Sequence, residues 1–188
     1  MRERRWSKLP FYDPKGLLIA LDKLSDEVAA ANLPYNLTSL RTNELKPYRE
    51  GRQCALFCYG IGQRFGLDVR FAFVEEQDID FVARFERDQC VHFVPIQMKE
   101  LVPERVRDST SLQNELNKLA KYGDSSDLVV VFHLNRGVTV VPEQLAFDKV
   151  KVAQLWFVGY TGQGREWHLL GDMLSESGGA SVFRYPEP

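Results

Sequence analysis

Apolar positions along this chain switch between helical and strand rhythms. After Asp13-Pro14, a capping residue followed by a proline suited to the first helical turn, Leu17, Leu18, Leu21, Leu24 and Val28 recur at helical spacing. Asn32-Leu33-Pro34 closes that run, so a helix is predicted over about 13–32. Residues 34–47, bounded by two prolines, read as irregular. A second helix is predicted over about 48–65, with Cys54, Phe57, Cys58, Ile61 and Phe65 on its inner face and Gly66 as its stop. Three β-prone runs follow at 69–74, 79–85 and 91–99, and the last two flank a polar turn at 86–89 and read as a hairpin. A third helix fits 112–122. Thr110 and Gln113 match a capping box there, and Leu112, Leu116, Leu119 and Ala120 form an apolar stripe. Gly123-Asp124-Ser125-Ser126 breaks it. The nearly continuous apolar run 128–134 reads as a strand buried on both faces.

Beyond that point the pattern predicts a strand over 150–158, a turn over 159–164, a short helix over 167–174, and flexible segments at 177–180 and at the tail. The order is helix, helix, three strands, helix, strand, then an extension. It implies an α/β domain with helices flanking a mixed sheet. The 188 residues suit a single domain, with a core over about 48–135, an N-terminal helix over about 13–32 and a C-terminal extension over about 140–188.

Composition adds constraints. Apolar residues make up 44% and charged residues 27%, as in an ordinary globular protein. Three cysteines, Cys54, Cys58 and Cys90, cannot all pair, so no disulfide framework is implied. No apolar run is long enough to span a membrane, and no apolar signal region follows the charged start Met1-Arg2-Glu3-Arg4-Arg5. A reducing cytoplasm is the expected setting. The net charge of −2 speaks against a protein that coats nucleic acid by charge alone. Local basic stretches at 2–8, 41–52 and 105–107 read first as solvated surface.

The hairpin carries the chemistry. A turn centred on Asp88-Gln89 sets Asp80 across from Gln97 and Asp78 across from Lys99. Directly opposed side chains share a face, with Cβ atoms about 4.5–5.5 Å apart. Gln97 and Lys99, two apart on one strand, share a face as well. An acid, an amide oxygen and a lysine thus converge on one patch. That set suits phosphodiester hydrolysis: a carboxylate holds Mg²⁺, the ion polarises the phosphoryl oxygen, and a lysine stabilises developing charge or orients water.

These residues carry a resemblance. Asp80-Phe81-Val82-Ala83 followed by Val94-Pro95-Ile96-Gln97-Met98-Lys99 resembles the Asp…(Glu/Gln)-x-Lys signature of the PD-(D/E)XK nuclease superfamily, over a little under half the chain. The resemblance implies a restriction-endonuclease-like fold and a Mg²⁺-dependent nuclease, with Mn²⁺ as a substitute ion and DNA as the partner. A homodimer is a further expectation, because many members cut duplexes as dimers. It also implies that Asp80, Gln97 and Glu50 hold the metal, that Lys99 assists the water and the transition state, and that Gln113 and Tyr122 give support. Gln97 stands where the superfamily usually has an acid, and Ile79 where it has Pro. The alternatives are therefore a binding module of the same fold that does not cleave, and a nuclease directed at RNA.

Other chemistry is weaker. The spacing of Cys54, Cys58, Cys90 and His92 fits no usual zinc pattern, so buried thiols are the expectation. His92 and His133 read as structural, and Trp6, Trp156 and Trp167 as core. The glycines of 159–164 read as a turn rather than a dinucleotide fingerprint.

Overall fold

The computed structural model describes residues 2–31, 45–106, 110–122 and 125–188. The expected stop at 32–34, the irregular stretch up to residue 44, Arg41, Arg107 and the breaker Gly123-Asp124 lie outside the described residues.

Helix α1 (Arg2–Trp6) precedes α2 (Pro14–Ala30). Asp13 caps α2 through its carboxylate, which accepts from the main-chain N–H groups of Lys15 at 3.2 Å and Gly16 at 3.0 Å. Helix α3 (Lys46–Phe65) ends at Gly66, whose φ of 65° is the left-handed cap that glycine adopts without steric cost. Strands β1 (Arg70–Glu76), β2 (Ile79–Arg87) and β3 (Cys90–Leu101) form an antiparallel meander. Helix α4 (Leu112–Asn117), extended by a 3₁₀ turn (Lys118–Tyr122), crosses over to β4 (Ser125–Leu134), which runs parallel to β3. Strands β5 (Val152–Tyr160), β6 (Glu166–Gly171) and β7 (Gly179–Arg184) complete one seven-stranded sheet in sequential order. Strand β5 is parallel to β4, and the last two pairings are antiparallel. The architecture is a mixed α/β sheet flanked by helices.

Alternation along the strands builds two cores. On one face Phe71, Phe81, Ile96, Met98, Val129 and Val131 pack against Leu18 of α2 and Cys54, Leu56, Phe57 and Cys58 of α3. On the other face Val82, Leu101, Val130 and Phe132 pack against Trp6 of α1 and Leu112, Leu116 and Leu119 of the crossover. Strand β4 feeds both cores, so its stretch from Leu128 to Phe132 is apolar without interruption. No helix among the described residues is long and apolar enough to cross a membrane.

Six expectations need correction. The segment 167–174 is strand for most of its length, because Trp167, Leu169 and Gly171 are buried in alternation, a period of two that no helix has. Gly179–Arg184, which includes half of the segment expected to be flexible, is an edge strand. Phe183 and Tyr185 are buried, and the Tyr185 hydroxyl donates to the Leu18 carbonyl at 2.9 Å. Residues 112–122 are not one α-helix. The 3₁₀ turn has three residues per repeat, which aligns Leu116, Leu119 and Tyr122 on the core and turns Ala120 outward. Ser111, not Thr110, caps α4 by accepting from the Asn114 N–H at 3.1 Å. Finally, Phe65 is exposed at the end of α3, and Gly159 still belongs to β5. All three tryptophans are buried, and the Cys54 and Cys58 thiols lie buried 3.9 Å apart.

Candidate active site

The β2–β3 turn decides whether the predicted patch exists. Asp88 and Gln89 have φ values of 53° and 62°, the two-residue left-handed turn whose twist matches that of the strands it joins. Arg87 then pairs with Cys90 and the register runs unbroken to Phe81 opposite Ile96. One step further along lie Asp80 and Gln97. Their side chains are hydrogen-bonded: the Gln97 amide nitrogen donates to Asp80 Oδ2. The same oxygen accepts from the Met98 N–H at 2.8 Å. Oδ1 takes part in neither bond and is the oxygen left for a cation or substrate.

Gln97 is buried to 6% exposure in the middle of a largely apolar strand. Lys99, half-buried, extends over the Tyr122 ring with Nζ 5.5 Å from the centroid. Burial lowers its pKa, and the charge of Lys121 pushes the same way, while Asp80, Asp78 and Glu50 pull it back up. Tyr122 is buried, and its hydroxyl meets no hydrogen-bond partner among the described residues. Its pKa is pushed well up by burial and then by the charges of Asp78 and Asp80.

Glu50 comes from α3, on the other side of the sheet. Its pKa is raised by burial first; Lys46, 3.4 Å away, lowers it, and Asp80 raises it. Electrostatic coupling therefore runs among Asp80, Glu50, Lys99 and Tyr122, four of the six predicted residues, and Gln97 touches Asp80 directly. Gln113 is engaged elsewhere. Its amide makes two bonds with the Ala146 backbone, donating to the carbonyl at 3.1 Å and accepting from the N–H at 2.9 Å, and it donates to Asn117. It clasps the loop after β4 onto α4. Two contributors escaped the sequence reading. The Met98 N–H carries no sequence signal at all, and Lys121, with Nζ 4.8 Å over the Tyr122 ring, is marked only by its place beside Tyr122.

The donor set fits a hard divalent cation in kind. Two carboxylates, an amide oxygen and the Met98 carbonyl, 3.5 Å from the Gln97 nitrogen, are all oxygen donors. The fit requires the Gln97 amide to turn over, a rotation about its broad terminal torsion that exchanges nitrogen and oxygen. Among the described residues no three His, Cys, Asp or Glu side chains group as a metal site, so neutral oxygens would complete this one. No protein-family model, curated protein or solved structure matches the chain.

Proposed function

We propose that the protein is a metal-dependent nuclease of the restriction-endonuclease-like fold, cutting DNA as an endonuclease in the reducing cytoplasm. The observation that carries this reading is the convergence of Asp80, Gln97 and Lys99 on one sheet face, where a half-buried lysine and a buried amide have no packing reason to be. The order of α3, the β1–β2–β3 meander, the crossover α4 and the parallel β4 supports it, because that is the arrangement the Asp…Gln-x-Lys resemblance implies.

Hydrolysis adds water to phosphorus, breaks one P–O ester bond and hands a proton to the departing sugar oxygen. A Mg²⁺ ion bound at Asp80, Glu50 and Gln97 would supply positive charge to polarise the phosphoryl oxygen. Lys99 donates to a non-bridging oxygen or holds the incoming water, and its burial strengthens that interaction relative to bulk solvent. Tyr122 presents its ring to the Lys99 ammonium group, a contact that holds the charge in place.

A second reading, a binding module of the same fold that does not cleave, is favoured by one specific feature. Gln97 is neutral and already satisfies Asp80 with its amide nitrogen. Cleavage of plasmid, linear duplex and single-stranded DNA with Mg²⁺, Mn²⁺ or chelator separates the two. Metal-dependent cutting by the wild type, lost in Asp80→Ala and in Lys99→Ala, is the expected result. A folded wild type that cuts none of these substrates, nor RNA, hands the case to the binding module.

A further inference from the structure

A second lysine stands beside the first. The crossover packs Leu116, Leu119 and Tyr122 onto Val82 and Leu101. Those strand positions lie two beyond Asp80 and Lys99, and so on the same sheet face as both. The 3₁₀ turn that ends the crossover repeats every three residues, which sets Lys118 and Lys121 together on its outer side, both exposed. Their surroundings differ. Lys118 Nζ is paired with Glu115 at 2.6 Å. Lys121 forms no ion pair among the described residues, and its Nζ stands 4.8 Å over the Tyr122 ring. Lys99 Nζ stands 5.5 Å over the same ring. The two ammonium groups feel each other: the charge of Lys121 acts on Lys99 more strongly than that of Asp78 or Glu50.

Like charges held around one ring repel, and an anion near both removes that cost. Tyr122 is 8% exposed, so the ring is fixed and less is lost in ordering the two stems on a ligand. Asp78 and Asp80 also act on Tyr122, so a phosphate backbone approaching this ring meets negative charge, and Lys121 is an exposed cation placed to offset it. Depth separates the two lysines. Lys99 is half-buried beside the carboxylates, whereas Lys121 is at the rim. A cation at the rim meets the charge that follows the reacting group along the substrate, and in a nucleic-acid strand that charge is the next phosphate. We propose that Lys121 binds the phosphate next to the scissile one, so that the substrate is a polynucleotide strand rather than an isolated phosphodiester. This rests on the nuclease reading and adds a binding residue to it.

The test is fluorescence anisotropy of the intact protein in chelator, with a fluorescein-labelled duplex and an oligothymidylate over an NaCl series. Lys121→Gln should weaken binding about fivefold, the upper end for one exposed charge pair. It should also make the fall of log K with log salt shallower, by about 0.9 on the duplex and about 0.7 on the single strand. Lys121→Arg should retain both. Lys118→Gln makes the same change of net charge one turn away and should leave the slope as it is. Both positions are exposed, and matching melting curves confirm the fold. Cleavage in Mg²⁺ is read separately on the same strands and on bis(p-nitrophenyl) phosphate, a diester with no neighbouring phosphate, each variant at its own optimum pH. Lys121→Gln should raise KM about fivefold on the strands and leave the small ester unaffected. An unchanged slope, or the same change in Lys118→Gln, overturns the contact. So does an equal loss on the small ester, which would mean that Lys121 acts on the scissile phosphate or only through Lys99. A slope that depends on Lys121 without any cutting keeps the phosphate contact and removes the nuclease reading. Cutting with an unchanged slope removes the contact and keeps the nuclease. Absence of binding to both probes overturns the contact.

Discussion

Replacing Gln97 by Glu puts the acid usual in the superfamily into a site that now holds an amide. In the folded protein the Gln97 nitrogen donates to Asp80 Oδ2. The substitution removes a hydrogen bond to a charged group, which contributes about 1.5–3 kcal/mol. It also sets two carboxylates side by side. At a separation of about 4 Å and an effective dielectric near 20, their repulsion is about 4 kcal/mol. Together the penalty is on the order of 5 kcal/mol, and for a chain of this size each kcal/mol moves the midpoint by about 2–4 °C. In chelator at pH 8, Gln97→Glu should therefore melt about 10–20 °C below wild type. The sign with pH follows from coupling. Crowding raises the folded-state pKa of one carboxyl, so the deficit is full above that raised value and shrinks as pH falls through it, when one proton is shared. By pH 5 the variant should approach wild type. Mg²⁺ should restore stability as the proton does, and raise the variant's midpoint further than wild type's. Differential scanning fluorimetry across pH, with and without Mg²⁺, reads all of this. A variant that melts with wild type in chelator at pH 8 would refute the contact itself. One that melts low but ignores Mg²⁺ would refute the cation site.

Three further expectations follow from the same coordinates. Glu50→Gln should stabilise the protein at neutral pH: burial raises the Glu50 pKa, so its ionisation disfavours the fold fully above the raised value, and the gain should fade as pH falls through the window from the raised value to 4.5 and be gone below it in a urea-melt series. Gly60→Ala should destabilise despite the better helix propensity of alanine, worth about 1 kcal/mol. Its Cβ would fall 2.7 Å from the buried Phe183 ring, an overpacking cost of about 1–3 kcal/mol; a raised midpoint would show that β7 does not pack on α3, and pairing the change with Phe183→Leu should reverse its sign. Ser111→Ala, which removes the cap of α4, should cost about 1 kcal/mol in a denaturant melt, and an unchanged midpoint would deny the cap.

Much of the site was legible because a two-residue turn leaves a hairpin little freedom. Once Asp88-Gln89 is the turn, the strand period of two puts Asp80 opposite Gln97 and Lys99 on the same face, and no tertiary information is needed. Glu50 was legible only through the resemblance, since a half-buried acid near a helix start reads equally as a dipole partner. Gln113 misled for a related reason. An amide at a helix start suits a cap, a support role or a clasp, and only the fold of the loop at Ala146 chooses among them.

Local pattern thus determined what the chain could settle within a dozen residues: the Asp13 cap, the Gly66 stop, the hairpin and its register, and the apolar β4. The tertiary structure decided whatever depends on a partner distant in sequence. Segment 166–171 is a strand because β5 and β7 supply its ladder. The tail is ordered because Tyr185 reaches Leu18 across 167 positions. The meeting of Lys99 and Lys121 at the Tyr122 ring likewise follows from how the crossover lies against the sheet, since a side chain's neighbours are set by what the rest of the chain places over it.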